Sequence, residues 1–507
     1  MPDQSGRFGA AKRMVTTATA AALIAAMPTP FATASGDSPL SRGPIHVPIV
    51  LMSAIDESST TLGVADSNLY GLSDTDLNKT LDELASLGVK DIRIAVPWIF
   101  MQPTSSQSYD WSALDRVVNA AADRDMGVLG VISATPIWAG TPLNGHPNPA
   151  SYADFASAVA TRYQAKISAY EIWNEPNGVT FWSPLSVKAY TNMLKAAYPA
   201  IKAADPNATV IGGVLGAVSN IPGVSTSAVR FVKEMYADGA QGFFDALSFH
   251  PYHYVVPFSL GPSAEYPIEQ VAAIRALMAA NGDAALKLWA TEYGLPTSSV
   301  SQAQQAAYIH DFVVAWQQVE GAGPMFIYTT RDSATGSFDD EGNFGLFTSN
   351  WTPKLAADTV AALVADLADG TLEPFDVRPY LPANPALQAV QVFIRQLINQ
   401  ALVIPRFVVQ LVSSAIKAVV TTIAKGLGLG PPAANRRSAA AATPTTRTAD
   451  APKRRAVATS KRQSAAPTTS GTPNSPRRSK ATVAKREAKR AAVSANSGHG
   501  STGRSGR

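Results

Sequence analysis

Eight short apolar runs, each followed by a segment with helical periodicity, alternate along the chain between about residue 45 and residue 370. Short apolar runs bounded by turn residues are typical of buried strands, and apolar residues at helical spacing indicate the helices between them. Parallel strands joined by helices need right-handed crossovers, and eight such units can close into a barrel. The sequence therefore predicts an α/β fold, a (β/α)8 TIM barrel. Its predicted strands are residues 62–65, 91–96, 127–132, 170–173, 209–213, 246–250, 288–292 and 325–330.

An open, doubly wound sheet is the alternative fold for such an alternation. That sheet usually carries a glycine-rich phosphate-binding loop after an early strand. Neither G-x-G-x-x-G nor G-x-x-x-x-G-K-[ST] follows any of the predicted strands, which favours the barrel. The chain also has no Cys, and this excludes disulfides, thiol chemistry and a Cys-based zinc site. No metal and no cofactor is predicted.

Residues 1–34 have the three parts of an export signal. Arg7, Lys12 and Arg13 precede an Ala-rich apolar run from 14 to 27, and an A-x-A-like cleavage motif follows at 32–34. The apolar run is too short for a transmembrane helix. We predict cleavage directly after this motif and a protein that is secreted or associated with the cell envelope. A disordered Ala-rich leader is the alternative interpretation.

The chain after the barrel changes character twice. Residues 384–430 are apolar and β-branched, but their charge-free stretches are about ten residues long, too short to span a bilayer. We predict two helices broken at Pro405 that pack on the barrel, self-associate or lie on a membrane surface. Residues 431–507 hold 17 Lys/Arg and 2 Asp/Glu, a net charge of +15, and almost no large apolar residues. This tail cannot form a core and is predicted to be disordered.

The net charge of the chain is divided unevenly between residues 1–430 and the tail at 431–507. The whole chain has a formal charge of +4, so residues 1–430 carry a net −11 once the +15 of the tail is subtracted. The folded part is therefore acidic, and the high isoelectric point gives no argument for nucleic-acid binding. The spread-out cations of the tail suit an anionic envelope polymer or an anionic membrane surface. A merely solvated tail is the alternative.

Chemistry-bearing side chains collect at the carboxyl ends of the predicted strands, where the catalytic groups of β/α barrels lie. Glu175 follows the fourth strand and Glu292 ends the seventh, which puts two carboxylates on one rim. Arg93 lies inside the second strand, where a buried cation needs a carboxylate partner. The other candidates on this rim are Trp98, Trp138, Trp173, Asn174, His250, Tyr252, Tyr293 and Tyr328.

Two carboxylates among aromatic residues suggest cleavage of a glycosidic bond. The leaving oxygen needs a proton donor, and the anomeric carbon needs a nucleophile or an activated water. Arg93, together with Tyr252 or Tyr293, can keep one carboxylate ionised as the nucleophile. The other carboxyl, shielded by Trp173, is expected to stay protonated and act as the acid. Surface ion pairs, a core histidine at 250 and ordinary Trp packing are the structural alternatives.

The segment Glu171-Ile172-Trp173-Asn174-Glu175-Pro176 resembles the Asn-Glu-Pro signature of clan A glycoside hydrolases, which are β/α barrels with a retaining mechanism. The resemblance covers about residues 45–370. It implies that Glu175 is the acid/base and Glu292 the nucleophile.

Other parts of the chain carry the same resemblance. Arg93 matches an Arg of the second strand in this clan, and His250 with Tyr252 matches a His-x-Tyr motif at the sixth. The stretches 93–98, 109–111 and 135–139 further resemble family 39 and the related family 5.

The eighth strand departs from this pattern. Many members of the clan end it with a Trp that lies under the sugar, whereas this chain has Tyr328, followed by Arg331 and Asp332. The lone cation favours an acidic or substituted sugar. The sequence as a whole predicts a secreted retaining glycoside hydrolase that acts on a β-linked poly- or oligosaccharide. A transglycosidase that remodels envelope glycans and a non-catalytic glycan-binding envelope protein are the alternatives.

Overall fold

A closed barrel of eight parallel strands forms the centre of the computed structural model, which describes residues 54–395. Each strand pairs with the next in chain order, and β8 closes the barrel on β1 with Leu62 opposite Met325 and Ala65 opposite Tyr328. This arrangement confirms the predicted (β/α)8 barrel. The strands are β1 Leu62–Ala65, β2 Asp91–Pro97, β3 Gly127–Ser133, β4 Ala169–Ile172, β5 Thr209–Gly216, β6 Ala246–His250, β7 Lys287–Tyr293 and β8 Ala322–Tyr328.

Helices cover the outside of the barrel, and several begin with a side-chain cap. Ser73 accepts the Asp76 N–H at the start of α1, and Ser301 forms a capping box with Gln304 at the start of α8. Such caps satisfy backbone donors that have no partner inside the helix. The helices are α1 Asp74–Ser86, α2 Trp98–Met101, α3 Ser112–Ala122, α4 Pro149–Tyr163, α5 Val187–Ala204, α6 Ala228–Ala237, α7 Pro267–Ala280, α8 Gln302–Trp316 and α9 Leu355–Asp369.

The inside of the barrel is apolar in one layer and polar in another. Leu129, Ile211, Trp289 and Phe326 belong to a buried apolar cluster contributed by the strands. Other inward positions of the strands are polar and equally buried, among them Arg93, Glu171 and Ser248. Buried polar groups of this kind need hydrogen-bond partners, because burying them unpaired costs free energy. The partners that they find build the site described below.

Several predicted segments lie outside the described residues, namely the export signal at 1–34 and the basic tail at 431–507. Of the apolar segment at 384–430, only the beginning is described, and residues 385–395 are helical. Between residues 54 and 395, no helix is both long and apolar enough to cross a membrane. The predicted domain boundaries therefore stay predictions.

Candidate active site

The loop after β4 makes a strained turn that positions Glu175. Trp173 and Glu175 have φ angles of 74° and 43°, in the left-handed region that side chains other than glycine rarely adopt. Such a conformation costs roughly 1–3 kcal/mol per residue and persists only where the surroundings enforce it. Here the Trp173 N–H donates to the Ile132 carbonyl at 3.0 Å, and the Glu175 N–H donates to the Val214 carbonyl at 2.9 Å. Strand β4 consequently ends at Ile172, one residue earlier than predicted.

The end of β5 provides the space for the Glu175 carboxyl group. A Cβ atom added to Gly216 would lie 2.9 Å from Glu175 Oε1, so a larger residue here would push the carboxyl group out of this position. Asn177 ties the same loop to β5, since its amide donates to the Gly216 carbonyl at 2.8 Å and accepts the Gly216 N–H at 3.0 Å. The position of Glu175 is thus fixed by a neighbouring strand as well as by its own.

His250 links the two carboxylates predicted from the sequence. Its Nδ1 atom lies 3.0 Å from Glu175 Oε1 and 3.7 Å from Glu292 Oε2, so the two carboxyl groups are close neighbours. The imidazole is fully buried, and its Nε2 atom lies 3.1 Å from the hydroxyl of Thr291, which fixes the orientation of the ring. Glu175 and Glu292 remain partly exposed, with 20% and 13% of their side chains accessible.

Glu292 is surrounded by donors that favour its ionised form. The Tyr252 hydroxyl donates to Oε2 at 2.8 Å, and Arg93 Nη1 donates to Oε1. Burial raises the pKa of Glu292, but His250, Arg93 and the Tyr252 hydroxyl outweigh it and hold the pKa below its usual value. Burial and Glu292 itself raise the pKa of Tyr252, so its hydroxyl keeps the proton that it donates. Glu292 is therefore a carboxylate at neutral pH.

Arg93 connects three elements of the barrel through one guanidinium group. Its Nε donates to Glu171 Oε2 at 2.6 Å, and its Nη2 donates to Asn174 Oδ1 at 2.8 Å, while Nη1 reaches Glu292. Burial lowers the pKa of Arg93, but the charges of Glu171 and Glu292 outweigh burial and raise the pKa above its usual value. The guanidinium group therefore stays charged. The predicted carboxylate partner of Arg93 is confirmed, and there are two of them.

An aromatic wall lies beside Glu292. We call Tyr252, Tyr254, Tyr328, Phe344 and Glu341 the β8 wall, because β8 and the loop after it supply three of the five. The three tyrosines are half-buried, and their ring centres lie 5.2–6.0 Å from the buried ring of Phe344. The Tyr328 hydroxyl donates to Glu341 Oε2 at 3.2 Å. Glu341 reaches solvent, yet the surrounding wall and the nearby charge of Glu292 raise its pKa to about 7.

Three of the aromatic residues predicted to bind sugar, Trp98, Trp173 and Tyr293, are buried in the protein. Trp98 is stacked on Phe155 at 5.3 Å, and Trp173 donates its indole N–H to the Phe181 carbonyl. Tyr293 directly follows Glu292 along β7, and alternate residues of a strand point to opposite faces. Its side chain consequently stacks on Phe312 at 4.1 Å, away from the carboxylates, and is 1% exposed.

The remaining predicted aromatics keep some exposed surface. Trp138 is half-buried, packs edge-on against Trp98 at 5.5 Å and donates its indole N–H to the Gln102 carbonyl. Tyr252 and Tyr328 belong to the β8 wall. Of the two tyrosines predicted to contact an ionised carboxylate, Tyr252 donates to Glu292, whereas Tyr293 donates to the Tyr308 carbonyl.

The charged residues that follow Tyr328 do not provide a cation at the wall. The guanidinium carbon of Arg331 lies 4.6 Å from the ring centre of Trp351, and buried Asp332 pairs with Lys354 at 2.7 Å. The charged group that contacts Tyr328 is instead the carboxylate of Glu341. Arg331, the cation expected at this position, thus packs against Trp351.

Glu171, Asn177, Tyr254, Thr291 and Glu341 are site residues that the sequence did not single out. Glu171 could have been predicted from the sequence, because a carboxylate inside an apolar strand requires a partner such as Arg93. No sequence feature predicted Glu341, since it lies 13 residues beyond Tyr328 in a long loop. In the described part of the chain, no group of three or more His, Asp or Glu residues is arranged to hold a metal ion.

The sequence model of the family described as cellulase, glycosyl hydrolase family 5, matches residues 55–320, more than half of the chain. The chain belongs to glycosyl hydrolase family 5. The matched region runs from before β1 to after α8 and includes Glu175 and Glu292, whereas β8 and the loop with Glu341 lie beyond it. The predicted resemblance to clan A glycoside hydrolases is confirmed, and the domain is of the glycosidase class.

Individual relatives of this glycosyl hydrolase are more distant. Endoglucanase CelA of Streptomyces lividans is 39% identical over 105 residues, which is 21% of this chain and 20% of that protein. A family 39 glycoside hydrolase from Bacteroides cellulosilyticus WH2 has a TM-score of 0.51 and 23% identity, over 62% of this chain and 65% of that one. A monomeric β-xylosidase from Caulobacter crescentus CB15 has a TM-score of 0.49 and 19% identity, over 62% and 70%. The chain thus spans a fifth of the endoglucanase and less than two thirds of the family 39 enzyme, whose similarity is one of fold.

Proposed function

We propose that the protein is a retaining glycoside hydrolase in which Glu292 is the nucleophile and Glu175 is the acid/base. The observation that carries this assignment is the difference between the two carboxyl groups. Glu292 accepts hydrogen bonds from Arg93 and Tyr252, which favour an ionised oxygen, whereas Glu175 has His250 as its neighbour and is the more exposed of the pair. Both carboxyl groups lie close to the same atom, His250 Nδ1. This closeness suits the roughly 5–5.5 Å between the two carboxyl groups of retaining enzymes better than the roughly 6.5–9.5 Å of inverting enzymes.

The proposed reaction has two displacements. In the first, a Glu292 oxygen attacks the anomeric carbon while the glycosidic carbon–oxygen bond breaks and Glu175 gives its proton to the leaving oxygen. This leaves a covalent glycosyl ester on Glu292 and an ionised Glu175. In the second, Glu175 takes a proton from water, whose oxygen attacks the anomeric carbon and releases Glu292. Arg93 and Tyr252 stabilise the Glu292 carboxylate before the first step and after the second.

Kinetics of two substitutions test these roles. Glu292→Gln should lower kcat/KM by about 10⁴-fold on every substrate, since no covalent intermediate can form. Glu175→Gln should lower it by about 10²–10⁴-fold on oligosaccharides, but much less on aryl glycosides whose leaving groups need no proton. Glu373→Gln, which removes the same charge from an exposed position, is the matched control. Full activity of both active-site variants would refute the assignment.

Product analysis completes the test of the reaction type. A mechanism-based glycosyl fluoride reagent should label Glu292, and the label should be located by peptide mass spectrometry. Hydrolysis products should dominate even with added acceptor sugar. Transfer of the glycosyl unit to that acceptor would instead identify a transglycosidase, and absence of both labelling and turnover would favour a non-catalytic glycan-binding protein.

The proposed substrate is a β-linked poly- or oligosaccharide outside the cytoplasm. Part of the chain is similar to an endoglucanase, and the first 34 residues have the composition of an export signal. The protein is accordingly proposed to be secreted or held at the cell envelope. Sequencing the N-terminus of exported protein should give Ser35 as the first residue. A mature protein that still begins at Met1 would refute the proposed export.

A further inference from the structure

The β8 wall groups three tyrosines around one phenylalanine beside the proposed nucleophile Glu292. Phe344 is buried at its centre, and the rings of Tyr328, Tyr254 and Tyr252 pack against it edge-on at 5.2, 5.9 and 6.0 Å. Edge-on packing leaves part of each tyrosine uncovered, and all three are half-buried. Aromatic faces attract cations through the negative charge on the ring face. The wall therefore offers aromatic surface next to the reacting atoms.

Glu341 adds a carboxylate to this aromatic surface. Within residues 54–395, no Lys, Arg or His nitrogen lies within ion-pair distance of the Glu341 carboxylate. The nearby cations are engaged elsewhere, since Arg395 lies 3.9 Å from Asp340 and Arg331 lies over Trp351. The neighbouring charges of Glu292 and Glu175 are also negative and raise the pKa of Glu341 beyond the effect of its surroundings. Above its pKa of about 7, Glu341 is thus an anion that no described cation balances.

We propose that Tyr254, Tyr328 and Glu341 form a subsite for a sugar that carries a protonated amino group. The ammonium group would donate to the carboxylate of Glu341 and lie against the tyrosine rings, so that both interactions favour the same charge. This inference rests on the proposed glycosidase function and specifies its substrate class. Tyr328 and Glu341 lie beyond the residues that match the family 5 model.

Other sugar substituents fit the same wall less well. An acidic sugar would bring a further negative charge towards Glu341, Glu292 and Glu175, which already interact unfavourably. A neutral hydroxyl would leave the charge of Glu341 unbalanced, and an N-acetyl group removes the positive charge altogether. The unmodified amine is the substituent that balances the charge of the wall.

The test compares β-1,4-linked trimers of glucosamine, N-acetylglucosamine and glucose with the full-length protein. We expect kcat/KM for the glucosamine trimer to exceed the other two by tenfold or more, which corresponds to about 1.4 kcal/mol. This preference should pass through a maximum near neutral pH, because Glu341 is an anion only above its pKa of about 7 and the sugar amine is a cation only below its own pKa. Glu341→Gln should reduce the preference to less than threefold, whereas Glu373→Gln should leave it as in the wild type.

Two further measurements separate the possible outcomes. Tyr328→Leu removes the aromatic face but not the carboxylate and should lower the preference part of the way. Calorimetric binding of the glucosamine and N-acetylglucosamine trimers to the Glu175→Gln protein repeats the comparison without turnover. Equal affinities, or a preference unchanged by Glu341→Gln, would overturn the inference even if all three trimers are cleaved. The absence of any glycoside cleavage together with the absence of labelling at Glu292 would instead count against the proposed function itself.

Discussion

Neighbouring side chains at the rim of the barrel give Glu175 and Glu292 different hydrogen-bond partners. Glu175 and Glu292 are both glutamates at strand ends, but Arg93 and Tyr252 donate hydrogen bonds to Glu292. Each donor stabilises the ionised form, and together with His250 they overcome the effect of burial on the pKa of Glu292. The assignment of roles therefore depends on neighbours that come from β2 and from the loop after β6.

The Tyr252 hydroxyl gives a prediction at this scale. Tyr252→Phe removes a donor to the Glu292 carboxylate and should raise its pKa. Because the nucleophile acts when ionised, activity is present above this pKa and is lost as the pH falls through it. The acidic limb of the kcat/KM profile should thus move to higher pH, and kcat/KM at neutral pH should fall by roughly tenfold to a hundredfold. Tyr380→Phe, at an exposed position, is the control, and an unmoved acidic limb would contradict the proposed contact.

The loop between β8 and α9 is the element that brings Glu341 to the wall. It is held from beneath by Lys354, whose Nζ donates to Asp332 at 2.7 Å, to Thr297 at 3.0 Å and to the Asn343 carbonyl at 3.0 Å. Asp332 in turn accepts the Gly345 N–H at 2.8 Å. A buried charge with this many partners fixes the loop, since every alternative arrangement would leave some of these groups unpaired.

Breaking this buried pair should destabilise the protein. Lys354→Met leaves the carboxylate of Asp332 buried without its cation and is expected to lower the free energy of unfolding by about 3–5 kcal/mol. Adding Asp332→Asn should recover part of that loss, because the amide carries no charge. Urea unfolding of the single and double variants measures both effects. A loss below about 1 kcal/mol for Lys354→Met would show that the pair does not hold the loop.

On the scale of the whole molecule, charge is divided between two parts of the chain. Residues 1–430 carry a net −11 and include every side chain placed in the site, whereas residues 431–507 carry +15. An acidic barrel and a basic tail can therefore act on different partners. The barrel is proposed to hold the catalytic groups, and the tail is proposed to bind an anionic polymer or membrane surface.

Truncation separates these two parts. A protein ending at Gly430 should cleave soluble oligosaccharides with kcat/KM within about twofold of the full chain. Its binding to vesicles containing phosphatidylglycerol should be much weaker, and the binding of the full chain should decrease with added salt because exposed charges are screened. Sedimentation with vesicles measures this, with phosphatidylcholine vesicles as the control. Equal binding of both proteins to the anionic vesicles would refute the role of the tail.

The sequence alone determined the barrel and the position of the two principal carboxylates. Alternating strands and helices restrict the topology strongly, and groups at the carboxyl ends of parallel strands must meet on one rim. Arg93 was equally predictable, because a charge inside a buried strand requires an opposite charge nearby. These inferences use only the order of residues along each strand.

The tertiary structure decided which way the neighbouring side chains point. Trp173 and Tyr293 lie within two residues of Glu175 and Glu292 in sequence, but a left-handed turn and the alternation of the strand direct both rings into the core. Glu341 is distant in sequence from Glu292, yet a loop fixed by the buried Lys354 brings it to the wall. Strand periodicity is local and can be read from the chain, whereas the path of a long loop depends on contacts between distant residues.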